Sequence, residues 1–158
     1  MKNVLVTAGA AGIGKKIAER FADKGCNIWV CDINESTLDE VPQNWKTSLL
    51  DVSDEISVKS LFEKITSEWG TLDTVCCNAG NAGPTNLTEK IELSDWKNCL
   101  AVNLEGAFLT SKYAIPLMKK RLAGSILFTS STAGIYGYPN RAPYSAAKWA
   151  IIGFMKTL

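Results

Sequence analysis

Tyr144 and Lys148, near the C-terminal end of the sequence, are of types and at a spacing that could move a proton. Residues four apart on a helix lie on adjacent turns of one face, so the phenol and the amine would be neighbours. A tyrosine with its ordinary pKa of about 10 is a poor base near neutral pH, but a neighbouring ammonium favours the phenolate. The pair therefore predicts acid–base chemistry. Taken alone, either residue is more simply an exposed polar side chain on an amphipathic helix.

A second group of residues, Thr7 to Gly14, has the form of a phosphate-binding turn. The turn follows the apolar run Val4 to Val6 and precedes a helical stretch, Lys15 to Lys24. A strand that leads into small residues and then a helix presents free backbone N–H groups and a positive helix end to a pyrophosphate. The glycines could instead serve only tight packing between strand and helix.

Asp32 lies 18 residues beyond Gly14, at the end of a second apolar run. A carboxylate there would accept hydrogen bonds from the ribose hydroxyls of an adenosine and would repel a 2′-phosphate, so we expect NAD to be preferred over NADP. Lys15 could weaken that preference. The alternative is an ordinary solvated aspartate at a strand end.

Short apolar runs alternate with longer amphipathic stretches along the chain, as in repeated units of strand, crossover helix and parallel strand. We predict five parallel strands, centred on residues 4–6, 28–30, 48–50, 75–77 and 126–128.

Three stretches outside these strands predict helices. Apolar side chains from Val58 to Trp69 recur at steps of three and four, and we expect Ser53 to cap this helix and Gly70 to end it. Ser94 is expected to open a helix that weakens or kinks near Pro116. The last helix is expected to begin between residues 141 and 143 and to run to the C-terminus.

Composition narrows the class of protein. A chain of 158 residues with 46% hydrophobic residues predicts a single globular domain over 1–158. Its 17 basic and 16 acidic residues give no electrostatic reason to expect nucleic acid or a membrane surface as a partner. The N-terminus predicts neither a signal peptide nor a membrane-spanning helix, so a cytoplasmic location is the default expectation.

The cysteine and histidine content bears on metal binding. There is no histidine, and the five cysteines have no CxxC spacing, which argues against a zinc site. We expect the cysteines to be reduced and packed as small hydrophobic residues in or near the strands.

Several motifs, in order and in register, resemble those of the short-chain dehydrogenases/reductases. The turn resembles TGxxxGxG, with Thr7, Gly12 and Gly14 matching and Ala8 in place of the first glycine. Other matches follow the third, fourth and fifth strands or lie in the last two long helices. They are Asp51-Val52, Asn78-Ala79-Gly80 (with Cys77 in place of the first Asn of NNAG), Asn103, Ser131 and the YxxxK signature at Tyr144 to Lys148.

This resemblance implies a Rossmann-like, doubly wound α/β fold with strand order 3-2-1-4-5 and helices on both faces. It also implies an NAD(P)-dependent oxidoreductase that interconverts an alcohol and a carbonyl compound, with Asn103, Ser131, Tyr144 and Lys148 as catalytic residues. Tyr144 would exchange the proton, Ser131 would hold the substrate oxygen, and Asn103 would order a water next to Lys148. The implied cofactor-binding residues are Thr7, Gly9, Gly12, Ile13, Gly14, Asp32, Ile33, Asp51, Val52, Asn78, Ala79, Gly80, Tyr144 and Lys148.

Members of this family ordinarily continue past the last helix into two more strands and a substrate lid. A sequence ending at Leu158 would leave the fifth strand as a sheet edge. Two other hypotheses therefore remain: a catalytically idle nucleotide- or partner-binding protein, and a fragment of a longer enzyme. The family's helix contacts imply a homo-oligomer. Residues that could approach a small-molecule substrate are Tyr136, Tyr138, Asn140 and Trp149.

Overall fold

The computed structural model describes all residues from Met1 to Leu158. Five strands form one sheet: β1 (Asn3–Thr7), β2 (Asn27–Asp32), β3 (Lys46–Leu49), β4 (Thr74–Cys77) and β5 (Ser125–Phe128). All neighbouring strands are parallel, in the order β3-β2-β1-β4-β5. The predicted strand number, order and α/β class are therefore confirmed.

Five helices lie between the strands and a sixth follows β5: α1 (Gly12–Ala22), α2 (Glu35–Asp39), α3 (Glu55–Trp69), α4 (Leu93–Leu100), α5 (Gly106–Arg121) and α6 (Ala142–Met155). A π-helical segment, Ala101–Glu105, joins α4 to α5. Short 3₁₀ turns lie at Thr88–Lys90 and Thr132–Gly134.

The central strands explain why helices lie on both faces of the sheet. Side chains alternate along β1, so Leu5 packs into one hydrophobic core while Val4 and Val6 pack into the other. The Leu5 side carries α3 and α5, and the Val4 side carries α1 and α2. The apolar stripe of α3 is buried as predicted, and burial of each Leu, Ile or Phe in it contributes about 1.5–3 kcal/mol.

The start of α3 differs from the prediction, because Asp54 rather than Ser53 caps the helix. Asp54 accepts hydrogen bonds from the backbone N–H groups of Ile56 and Ser57. The Ser53 hydroxyl donates instead to Asp51, at 2.7 Å, and is not available to the helix. The C-terminal prediction is confirmed, since Gly70 ends α3 in the left-handed conformation, with φ +66°.

The predicted break in the long helix is also in a different place. The helix begins at Leu93, with Ser94 already in its first turn, and the irregular turn occurs at 101–105 rather than at Pro116. Helix α5 continues through Pro116 to Arg121. Proline removes one hydrogen bond, to the carbonyl of Lys112, and both residues lie on the exposed face, where water can replace it. At the end of the chain, α6 stops at Met155 instead of running to Leu158.

Candidate active site

A cleft of about 760 Å³ opens where the carboxyl ends of β1, β4 and β5 meet α6. Loops at this edge of a parallel sheet are where open α/β proteins bind ligands. The cleft brings together most of the side chains singled out in the sequence. Those that line it are Gly12, Ile13, Gly14, Asp32, Asn78, Gly80, Asn103, Ser131, Tyr144 and Lys148.

A smaller cavity of about 240 Å³ adjoins the cleft on the β2 side, and the two share Asp32 and Gly80 in their walls. Four further residues from the sequence prediction line this cavity: Ile33, Asp51, Val52 and Ala79. These four predicted cofactor-binding residues are therefore neighbours in space, although they follow different strands.

Thr7 and Gly9 line neither the cleft nor the smaller cavity. Their contacts instead fix the turn between β1 and α1. The Thr7 hydroxyl accepts hydrogen bonds from the backbone N–H groups of Asn78 and Ala79, at 2.9 and 3.0 Å, and so joins the loops after β1 and β4. Gly9 packs against β2, where an added Cβ would lie 2.7 Å from Val30 Cγ1.

The turn between β1 and α1 leaves the N-terminus of the helix open. No side chain caps α1, whereas Asn34 caps α2 and Asp54 caps α3. Gly12, Ile13 and Gly14 in its first turn line the cleft, and no side-chain cap competes for their N–H groups, as an anion-binding helix end requires. Ala8 adopts φ +47° in this turn. The position therefore requires the conformation that glycine tolerates best, and alanine occupies it with some strain.

Asp32 is fixed at the end of β2 by the backbone on both sides. Its Oδ2 accepts a hydrogen bond from Ala10 N and its Oδ1 one from Asn34 N, both at 3.3 Å. The carboxylate thus has a defined position in the walls of both cavities.

Tyr144 and Lys148 lie on the cleft side of α6, in adjacent turns as their spacing predicts. The Lys148 ammonium is 5.6 Å from the centroid of the Tyr144 ring and donates a hydrogen bond to the backbone carbonyl of Thr129, at 3.0 Å. Lys148 is buried, with 4% of its surface exposed. Burial lowers its pKa below the ordinary value for lysine. A buried amine held in this way is not the solvated surface residue of the simpler interpretation.

Asn103 enters the site from the π-helical segment, a local widening that often occurs at functional sites. Its Nδ2 donates to the backbone carbonyls of Asn81 and Cys99, at 2.9 and 3.0 Å. Its Oδ1 is buried and has no hydrogen-bond partner in the protein. Because Gly80 has no side chain, Asn103 Oδ1 and Lys148 Nζ face the same small space beside it.

Ser131 follows β5 and begins a 3₁₀ turn. Its oxygen accepts a hydrogen bond from Ala133 N at 3.2 Å, which leaves the hydroxyl proton free to donate. Both Ser131 and Tyr144 line the cleft. A hydroxyl donor, a phenol and a buried amine in one cleft can polarise a carbonyl oxygen and exchange a proton with it.

The sequence identified other residues of the site less well. Of the four residues expected near a substrate, Tyr138 lines the cleft, but Tyr136, Asn140 and Trp149 do not. Asn81 and Thr129 were missed, although both follow strands at the cleft edge and that position was a usable signal. Arg141 also lines the cleft, and nothing in its local sequence context indicated this role.

No cysteine lines the cleft, although Cys31 lines the smaller cavity beside it. All five are free, and Cys31, Cys76, Cys77 and Cys99 are buried. Burial raises the pKa of Cys31 to about 12, that of Cys76 to about 11 and that of Cys77 to about 12, so these thiols stay protonated near neutral pH. The cysteines were expected to lie in or near strands, and this prediction is wrong for Cys99, which lies on α4.

A parallel sheet in this order, with a glycine turn at its first strand, defines the nucleotide-binding Rossmann class. The sequence model of the short chain dehydrogenases matches residues 2–158. The chain therefore belongs to the short-chain dehydrogenase family of oxidoreductases, and the resemblance seen in the sequence is confirmed.

Individual relatives agree with this assignment. The chain is 34% identical to the 3-oxoacyl-acyl-carrier-protein reductase of Thermotoga maritima, over 99% of this chain and 66% of that protein. A solved structure of levodione reductase superposes with a TM-score of 0.90 at 30% identity, over 97% of this chain and 63% of that one. The structure of NAD⁺-bound xylitol dehydrogenase superposes with a TM-score of 0.95 at 29% identity, over 99% of this chain and 63% of that one.

The chain spans between 59% and 66% of the length of eight curated relatives. None of its helices combines the length and the apolar character needed to cross a bilayer.

Proposed function

We propose that this chain binds NAD and interconverts a secondary alcohol and a ketone. The observation that carries the proposal is the position of Tyr144 and Lys148 on the cleft side of α6, in one cleft with Asn103 and Ser131. The activities named for its relatives, reduction of 3-oxoacyl groups and of levodione among them, support this reaction class.

The cleft suits a nicotinamide dinucleotide in size and in the chemistry of its walls. Its volume of about 760 Å³ lies within the range of cofactor sites. The open N-terminus of α1 around Gly12, Ile13 and Gly14 would hold the pyrophosphate. Asp32 would hold the adenosine ribose, Ile33, Asp51, Val52 and Ala79 would surround the adenine, and Asn78 and Gly80 would border the nicotinamide half. A bound nicotinamide supplies the hydride chemistry.

The remaining steps fall to side chains of this protein. Ser131 would donate its free hydroxyl proton to the substrate oxygen and stabilise the charge that develops there. Tyr144 would give a proton to that oxygen in reduction, or accept one from the alcohol in oxidation.

Lys148 and Asn103 would connect Tyr144, which exchanges the proton with the substrate, to solvent. The Lys148 ammonium lies 5.6 Å from the centroid of the Tyr144 ring, and Lys148 would also bind the nicotinamide ribose. The unpartnered Oδ1 of Asn103 is suited to accept a hydrogen bond from a water in the space beside Gly80, between Asn103 and Lys148. That water would connect the ammonium to solvent.

We further propose that residues 1–158 act as one cofactor-binding domain and that the protein is a homo-oligomer. Phe108 on α5 and Trp149 on α6 are 46% and 52% exposed, which supports an apolar contact between copies at these helices.

Turnover tests the proposed function against its alternative, an idle nucleotide-binding protein. We expect the chain to bind NADH and to oxidise it in the presence of at least one member of a panel of ketones, and to reduce NAD with the matching alcohol. Absorbance of the reduced nicotinamide measures both directions. Tight NADH binding with no turnover on any substrate would favour the idle alternative, and no binding would show that the proposal is wrong.

Replacing Asp32 with serine tests the preference for NAD. Loss of the charged acceptor should weaken NADH binding about tenfold. Loss of the repulsion between the Asp32 carboxylate and the 2′-phosphate should strengthen NADPH binding by a similar factor. The ratio of the two Kd values should therefore change about 100-fold, measured by fluorescence titration. Asp39→Ser, an exposed aspartate on α2, is the matched control and should leave the ratio unchanged. An unaltered ratio in Asp32→Ser would assign the selectivity to other residues.

A further inference from the structure

Arg141 stands immediately before α6 and reaches across to the loop after β4. Its Nη1 donates a hydrogen bond to the backbone carbonyl of Ala82, at 2.6 Å, between residues 59 positions apart. A bond from a charged donor at this distance is stronger than an ordinary amide bond. No carboxylate lies within salt-bridge distance of Arg141. In this structure the guanidinium acts on the loop rather than on an acidic side chain.

The position of Arg141 carries a cost. Its Nε is buried and has no hydrogen-bond partner, a condition that folded proteins usually avoid. A solvated arginine at the start of a helix would leave all its N–H groups in water. The burial of Nε therefore indicates that the contact with Ala82 is maintained against a local penalty.

The same loop is held from its other side by Asn103. Asn103 Nδ2 donates to the carbonyl of Asn81 at 2.9 Å, next to the carbonyl that Arg141 holds. A backbone bond from Asn86 N to Asn140 O, at 2.9 Å, ties the following residues of the loop to the residue before Arg141. Residues 78–83 are thus fixed between the π-helical segment and the start of α6.

This loop forms one wall of the cleft, and its displacement would alter the proposed site. Gly80 lies so close to its neighbours that an added Cβ would be 2.6 Å from Asn103 Oδ1 and 3.4 Å from Lys148 Nζ. A shift of the loop outward would move Gly80 away from these two groups and widen the space that it borders with them.

We propose that Arg141 is a positioning residue, whose bond to the Ala82 carbonyl fixes the 78–83 loop and thereby shapes the nicotinamide half of the cofactor site. The inference rests on the proposed function, since it assumes that a dinucleotide occupies the cleft. It assigns to Arg141 no contact with the reacting atoms.

The test compares two ligands that reach different distances along the cleft. AMP reaches only the adenosine end, beside Asp32 and Ala79, whereas NADH extends past Ala82, the residue that Arg141 holds and that lines the cleft but not the smaller cavity. In Arg141→Met we expect the Kd for NADH to rise about tenfold, in keeping with the loss of one charge-assisted hydrogen bond, and the Kd for AMP to stay within about twofold. Calorimetric titration measures both.

Two further variants separate positioning from general structural effects. Arg141→Lys keeps a charged donor and should recover part of the NADH affinity. Arg20→Met removes an exposed arginine in the last turn of α1, which pairs with Asp23 at 3.8 Å. This variant should change neither the Kd for NADH nor the Kd for AMP. For a substrate that is turned over, Arg141→Met should lower kcat about tenfold with a smaller change in KM.

Three results would overturn the inference. The first is an unchanged Kd for NADH in Arg141→Met. The second is equal weakening of NADH and AMP together with a large fall in Tm, which would indicate a purely structural residue. The third is failure of the unaltered chain to bind either ligand, in which case the proposed function fails together with the inference. Binding without turnover would contradict the enzymatic proposal alone, because the comparison of Kd values would still decide the role of Arg141.

Discussion

Tyr144→Phe is expected to lower kcat by about 10²–10⁴-fold, the usual contribution of a general acid or base. The substitution removes one oxygen and keeps the ring that packs 5.6 Å from the Lys148 ammonium. The Kd for NADH should therefore stay within about tenfold of its original value, because at most one hydrogen bond is lost. Steady-state turnover measures kcat, and fluorescence titration of the same sample measures the Kd for NADH.

Tyr136→Phe is the matched control, since it removes the same oxygen from a side chain that is 70% exposed and does not line the cleft. Its kcat should equal that of the unaltered protein. If Tyr144→Phe also turned over at the original rate, the proton would have to come from another group, and Tyr144 would have no role beyond packing.

The fold could be predicted from the sequence because its main signals are local and repeated. Apolar runs such as Val4 to Val6 must be buried on both faces, which requires helices on either side of the sheet. Asp32, Tyr144 and Lys148 could be placed because their position at a strand end or on one helix face follows from period and register alone.

The features that the sequence did not reveal depend on tertiary contacts. Ser53 and Asp54 are both good capping residues, and the choice between them depends on Asp51, which takes the Ser53 hydroxyl. The widened turn at 101–105 has no proline or glycine to mark it. It becomes visible only where Asn103 reaches the carbonyl of Asn81, 22 residues earlier.

Ala8 illustrates the limit of motif matching. Its place in the turn could be read from the sequence, but its φ of +47° could not. A small side chain satisfies the space in this turn, whereas the backbone conformation favours glycine. Alanine in place of the family's glycine therefore fits the available space, but its left-handed backbone conformation costs energy.

The same turn makes Gly14 the most sensitive glycine of the site. A Cβ at this position would lie 2.0 Å from the carbonyl oxygen of Ala8 and 2.7 Å from Asn78 Nδ2. Neither atom is free to move, because Asn78 Nδ2 donates to the carbonyls of Thr7 and Ala8, both at 3.2 Å. An alanine at residue 14 must therefore displace the N-terminus of α1 from the end of β1.

We expect Gly14→Ala to raise the Kd for NADH at least 100-fold, because the N–H groups proposed to hold the pyrophosphate move with the helix end. Overpacking of this kind should also reduce the free energy of unfolding by about 2–3 kcal/mol, which lowers Tm by about 5–10 °C for a chain of this size. Titration with NADH and thermal unfolding followed by circular dichroism measure the two effects.

Ala8→Gly is the control within the same turn and should act in the opposite direction on stability. It relieves a left-handed alanine, worth about 1–2 kcal/mol, against an increase in unfolded-chain entropy of about 0.4–1 kcal/mol, so a net gain of about 0.5–1 kcal/mol is expected. NADH affinity should be maintained. If Gly14→Ala bound NADH as tightly as Ala8→Gly, the helix end would not be the phosphate site, and the position proposed for the dinucleotide would be wrong.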